Sequence, residues 1–145
     1  MAAVCRWATS VLFAAVLVQV GAAGYGSFNA VKVADDDGSI TKKSLEDGFG
    51  FHAALGSIVI VAFIVLLVAT AAGRLGRQKL RWTGGLVLLG ILQTILAWIG
   101  GSVPALGFLH PLNALVIVAV TGLMARRAWL EARAPEASPA TASTA

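Results

Sequence analysis

The sequence predicts an all-α integral membrane protein, a bundle of four spanning helices, and three observations carry that prediction. Of the 145 residues, 58% are apolar and only 12% are charged, and the mean hydropathy is +0.84. A soluble domain carries about 25% charged residues, so this chain cannot cover itself with polar surface, and its natural solvent is a bilayer. Four stretches are long and apolar enough to cross one, and basic residues gather at alternate ends of them.

A span needs about 20 mostly apolar residues, because the hydrocarbon core is about 30 Å thick and a helix rises about 1.5 Å per residue. Residues 8–24, 51–73, 83–101 and about 108–129 meet or approach that length. Backbone groups in lipid must be paired within their own segment, so these are helices. The first could alternatively be a cleaved signal peptide, since Arg6 precedes an apolar run that ends in the small residues Ala22 and Ala23. That would leave the other three spans unchanged.

Orientation follows from the basic residues. Arg6 lies before the first span. Arg74, Arg77, Lys79 and Arg81 lie between the second and third, and Arg126, Arg127 and Arg133 lie at the end of the fourth. All of them fall on one side of a four-pass chain. The expectation is a bacterial inner-membrane protein with both termini in the cytoplasm. Trp7, Trp82 and Trp129 then mark the inner boundary, while Tyr25, Phe28, Phe49, Phe51, Trp98 and Phe108 mark the outer one.

The outer connection, 25–50, is the one sizeable hydrophilic segment. "NAVKVADDDGSITKKS" reads as two short strands around an Asp/Gly turn, a β-hairpin-like cap. Its "DDDGSI" fails as a calcium loop, because placing Gly38 at the loop's glycine puts Val33 and Ser44 at ligand positions. The transmembrane domain is taken as 1–130. The remainder, 131–145, is rich in Ala, Pro, Ser and Thr and reads as a disordered cytoplasmic tail. The lone Cys5 excludes an intrachain disulfide.

The two histidines are the residues that could carry chemistry. His52 in "GFGFHAALG" and His110 in "GFLHPLNAL" each open a span at its outer end. The second and fourth spans run in the same direction, so the imidazoles lie at similar depth. Neutral imidazoles on facing helices suit the two axial positions of a haem iron. Haem b is therefore the expected cofactor, with His52 and His110 as metal ligands. Gly56, one turn below His52, would make room for the macrocycle. Asn113, three residues after His110, could orient an imidazole or meet a haem or quinone oxygen. Lys32, Lys42 and Lys43 lie on the side where propionates would emerge. The alternatives are a quinone or lipid-headgroup site, or histidines that only pack or cap in a structural or assembly subunit of a larger membrane complex. Gln19 and Gln93 read as interhelical hydrogen-bonding residues, and Thr94 is a further polar residue within the third span.

No nucleophile with its base, phosphate loop or nucleic-acid patch is present, so nothing supports an enzymatic activity. Expected partners are the bilayer and a redox partner or larger membrane complex. The basic "RLGRQKLRW" reads as a topology signal and an anionic-lipid contact.

"AGYGSF", "DGFGFHAALG" and "LHPLNAL" resemble a family of small four-helix membrane proteins of actinobacterial type and unknown function. That resemblance implies the four-pass fold and no activity. More distantly, one histidine on each of two parallel helices is similar to half of haem A synthase and to membrane b-type cytochromes. The synthase motif Glu-x-x-His-Arg would need an acid where Phe49 stands and an arginine where Ala53 stands. Only His52 and His110 carry over, as axial ligands.

Overall fold

The computed structural model describes residues 2–133 and is all-helical, with no strand among them. In chain order the elements are α1 (Ala2–Asp37), α2 (Lys42–Ala72), α3 (Arg77–Ser102), the one-turn α4 (Pro104–Gly107) and α5 (Leu109–Arg133). The four longer helices are each long and apolar enough to cross a membrane. They form a square. α1 packs on α2 and α5, α3 packs on the same two, and the co-directional pairs α1/α3 and α2/α5 stand on the diagonals.

The β-hairpin expected in the outer connection does not form. α1 runs straight through "NAVKVADD" to Asp37, the chain turns at Gly38 with φ of +70°, and α2 begins at Lys42. Local chemistry explains the difference. Pairs at i,i+4 (Lys32–Asp36, Lys42–Glu46 and Lys43–Asp47) support helix on both sides of the turn. Thr41 caps α2, its hydroxyl accepting from the Ser44 amide at 3.1 Å while the Ser44 hydroxyl accepts from the Thr41 amide at 2.9 Å. The Asp/Gly turn was legible, but its flanks follow the helical rather than the strand period. With 36 residues, α1 is about 54 Å long, so an α1–α2 extension stands clear of any 30 Å core. Gly26 holds it together, since a β-carbon there would lie 2.5 Å from the Phe49 ring.

The other connections are tight. The α2–α3 turn uses Arg74 and Gly76 at φ of 49° and 95°. Between α3 and α5, Val103 leaves the helix and Pro104 starts α4. Gly100 and Gly107 meet backbone to backbone there; a β-carbon on Gly100 would lie 2.7 Å from the Gly107 Cα. α5 continues to Arg133, so residues 131–133 of the expected tail are helical, and residues 134–145 lie outside the described residues.

The bundle is an approximate two-fold repeat of one helical hairpin. Of the buried α1 residues, Thr9, Leu12, Val16 and Ala22 recur on α3 as the buried Thr83, Leu86, Gly90 and Leu96, at the constant offset that also relates Gln19 to Gln93. Buried Val59 and Phe63 on α2 recur as Ile117 and Thr121 on α5, at the offset from His52 to His110. Thr9 and Thr83 even spend their hydroxyls alike, each on carbonyls three and four residues back. Such back-bonding satisfies a hydroxyl where no water is at hand.

Both seams between the hairpins set a phenylalanine on a glycine, Phe63 on Gly90 and Phe13 on Gly122, with would-be β-carbons 3.1 and 3.2 Å from the rings. Leu12, Val16, Val59, Phe63, Leu86 and Ile117 make the core. In lipid such close packing, rather than burial from water, holds helices together. At the end bearing the termini, the Trp129 indole donates to Ser10 at 2.9 Å, meets Trp7 edge-on and lies beneath the Arg6 guanidinium.

Candidate functional site: a histidine pair across the bundle

Within each hairpin the seam carries one glutamine and one histidine. Gln19 on α1 faces His52 on α2, and Gln93 on α3 faces His110 on α5. The two imidazoles then meet across the α2/α5 diagonal with ring centroids 6.2 Å apart and planes inclined at 66°. The expectation that two co-directional spans present their histidines at one level is met. Phe49 adds an edge contact to His52 at 6.4 Å.

Partner chemistry fixes the protonation of both rings. His52 Nδ1 lies 3.0 Å from the Gln19 carbonyl and His110 Nδ1 lies 3.0 Å from the Gln93 carbonyl. A carbonyl only accepts, so each Nδ1 carries the proton and donates. In the neutral ring each Nε2 therefore keeps its lone pair. On the second hairpin the network is closed. Asn113 Nδ2 donates to the Leu89 carbonyl at 3.0 Å and to Gln93 Oε1 at 2.7 Å, which turns Gln93 Nε2 toward His110 Nε2 at 3.0 Å.

The first hairpin lacks that closure. Leu55 holds the place of Asn113, three residues after the histidine. Gln19 Nε2 donates to the His52 carbonyl at 2.8 Å and stands 3.5 Å from His52 Nε2. Its Oε1 is buried with no hydrogen-bond partner. The repeat thus supplies two chemically matched imidazoles with unequal supports.

Other expected site residues fall differently. The space above Gly56 is taken by the Gln19 side chain, whose Nε2 lies 2.8 Å from a would-be β-carbon. The glycine is needed for the glutamine to reach His52. Asn113 is buried and reaches His110 through Gln93 rather than by touching the ring. Lys32, Lys42 and Lys43 pair with Asp36, Glu46 and Asp47 on the extension. Lys43 lies nine residues before His52, about 13 Å along the helix, and so stands well above the imidazoles. The Thr94 hydroxyl donates to the Gly90 carbonyl of its own helix at 3.1 Å.

The glutamines were read from sequence as interhelical bonding residues, and both are, but their partnership with the histidines was missed. A signal was available: Thr-x-x-Leu followed by glutamine recurs with one spacing in Thr9–Leu12–Gln19 and Thr83–Leu86–Gln93. Among the described residues, no three or more His, Cys, Asp or Glu side chains are grouped as for a metal ion. Compared with family models, curated proteins and solved structures, the chain matches none.

Proposed function

We propose that the protein is a bis-histidine b-type haem protein of the bacterial inner membrane, with cytoplasmic termini, that carries electrons near the outer face. The observation that supports this is the His52–His110 pair. Their rings face each other with centroids 6.2 Å apart, and these two imidazoles would hold the iron. Both rings are also held in the tautomer that leaves Nε2 unprotonated, by carbonyls that accept from Nδ1.

In this reading a bound haem supplies one-electron chemistry, and the protein supplies its environment. Gln19 and Gln93 hold the imidazole rings through their backbone carbonyls. Their side-chain amides stand at 3.5 and 3.0 Å from the two Nε2 atoms and would have to give way for the imidazoles to hold an iron. Gln19, with an orphaned Oε1, is the less tightly held of the two. Positive charge at the termini-bearing end orients the chain.

A second reading has its own observation: both imidazoles already have partners at both nitrogens. On that reading the Gln–His pairs only fasten α1 to α2 and α3 to α5, in a non-catalytic membrane subunit without cofactor. The absorption spectrum of purified protein separates the two. A reduced-minus-oxidised Soret and α-band signal that is lost in both His52→Ala and His110→Ala supports haem. A colourless but folded preparation, still colourless after incubation with hemin, leaves the fastening role.

A further inference from the structure

At the termini-bearing end the four helices splay around a cleft of about 630 Å³, within the range of small-molecule sites. All four spanning helices line it, and it lies at the opposite end of the bundle from the histidines. Its walls are largely apolar, with Leu12, Ala62, Leu66 and Ala69 among them. The hydroxyls of Thr9, Thr70 and Thr83, which also line it, are all spent on carbonyls of their own helices. Val4 and Val65 line it and are themselves exposed, at 71% and 59%, so it opens sideways toward the bilayer between α1 and α2.

The charge is confined to the mouth and is mostly positive. Lys79, Arg127 and Glu131 stand there. Lys79 and Glu131 pair at 2.7 Å. The Arg127 guanidinium stacks 4.8 Å above Trp82, and no carboxylate among the described residues lies within ion-pair distance of it. An apolar recess entered from the side, with a guanidinium at its rim that stacks on Trp82 and faces no carboxylate among the described residues, matches an amphiphile with an anionic head. Basic pockets between helices at a membrane face are the usual form of such sites.

We propose that this cleft binds one anionic glycerophospholipid, with an acyl chain against Leu12, Ala62 and Ala69 and its phosphate at Arg127, aided by Lys79. The site is independent of the histidine pair, and its test does not involve haem.

The test is native mass spectrometry of delipidated protein in detergent, titrated with phosphatidylglycerol or with phosphatidylcholine of identical chains. Wild type should fill one high-affinity site with phosphatidylglycerol at an apparent Kd about fivefold below that for phosphatidylcholine. Arg127→Gln should bring the two lipids within about twofold. Ala69→Phe, which fills the recess, should remove the first binding event for both lipids. Arg81→Gln removes an equal charge from a residue that does not line this cleft, and it should keep the preference. Equal binding of the two lipids by wild type overturns the proposal without any variant. So does a preference that falls as far in Arg81→Gln as in Arg127→Gln, since that describes charge at a membrane surface rather than a site. Binding of glycerol phosphate that blocks the lipid would assign the mouth to a free phosphate and also overturn it.

Discussion

Replacing Asn113 with leucine asks how much the closed network on the second hairpin contributes. The two side chains are nearly isosteric, so no cavity opens, and Leu55 shows that leucine fits the equivalent place in the first hairpin. What changes is polar satisfaction. The Leu89 carbonyl sits in a helix and keeps its backbone partner, whereas Gln93 Oε1 loses the 2.7 Å bond from Asn113. Interhelical side-chain bonds in membranes average about 0.6 kcal/mol, and an orphaned buried acceptor costs about 1–3 kcal/mol. The expected loss is therefore about 2 kcal/mol. Steric-trap or SDS-titration unfolding in bicelles measures it. The reciprocal Leu55→Asn places a donor beside orphaned Gln19 Oε1 and should be neutral or stabilising. A loss below about 0.5 kcal/mol for Asn113→Leu, or equal damage from both substitutions, would refute the idea that the Gln–Asn bond is what distinguishes the two hairpins.

Three further outcomes follow from the packing. Gly90→Ala sets a β-carbon 3.1 Å from the Phe63 ring, which is 1% exposed and cannot retreat. It should cost about 1–3 kcal/mol, whereas Gly84→Ala, with nothing within 4 Å, should be neutral or gain up to about 1 kcal/mol. Equal unfolding free energies for the two would contradict the Phe-on-Gly seam. Gly100→Ala presses a side chain onto the Gly107 backbone, and no rotamer relieves that contact. The α3–α5 connection should open, read as faster amide exchange at Leu106 and Gly107, and unchanged exchange would count against the close approach. Thr121→Val removes a hydroxyl bonded only to Ile117 and Val118 of its own helix, so unfolding should shift by less than about 0.5 kcal/mol. A larger loss would mean that the hydroxyl has a partner on another helix.

The residues of the site were partly legible. His52 and His110 stood out because they are polar groups at the ends of otherwise apolar runs, and counting spans was enough to put them at one level. Gly56 was read as making room for a macrocycle, and in the structure that space holds the Gln19 amide. A sequence shows that space is required and not what fills it. The outer connection was misread because Val, Ile and Thr around an Asp/Gly turn favour strands in isolation. Here two spanning helices already fix its ends, and helix continuation meets every backbone bond without a new partner.

Hydrophobic composition by itself marked four helices long and apolar enough to cross a membrane, because lipid leaves the backbone one way to satisfy its amides over about 30 Å. Their alternation also sets the second and last of them, with the histidines, in one direction. Only the tertiary structure decided that α2 and α5 stand on a diagonal with their imidazoles in contact. It alone decided that each ring is anchored by a glutamine carbonyl from the neighbouring helix, and that two hairpins of unlike sequence repeat one packing. Those choices rest on small-residue contacts and hydrogen bonds between distant segments, of a few tenths to a few kcal/mol each, and apolar pattern carries no information about them.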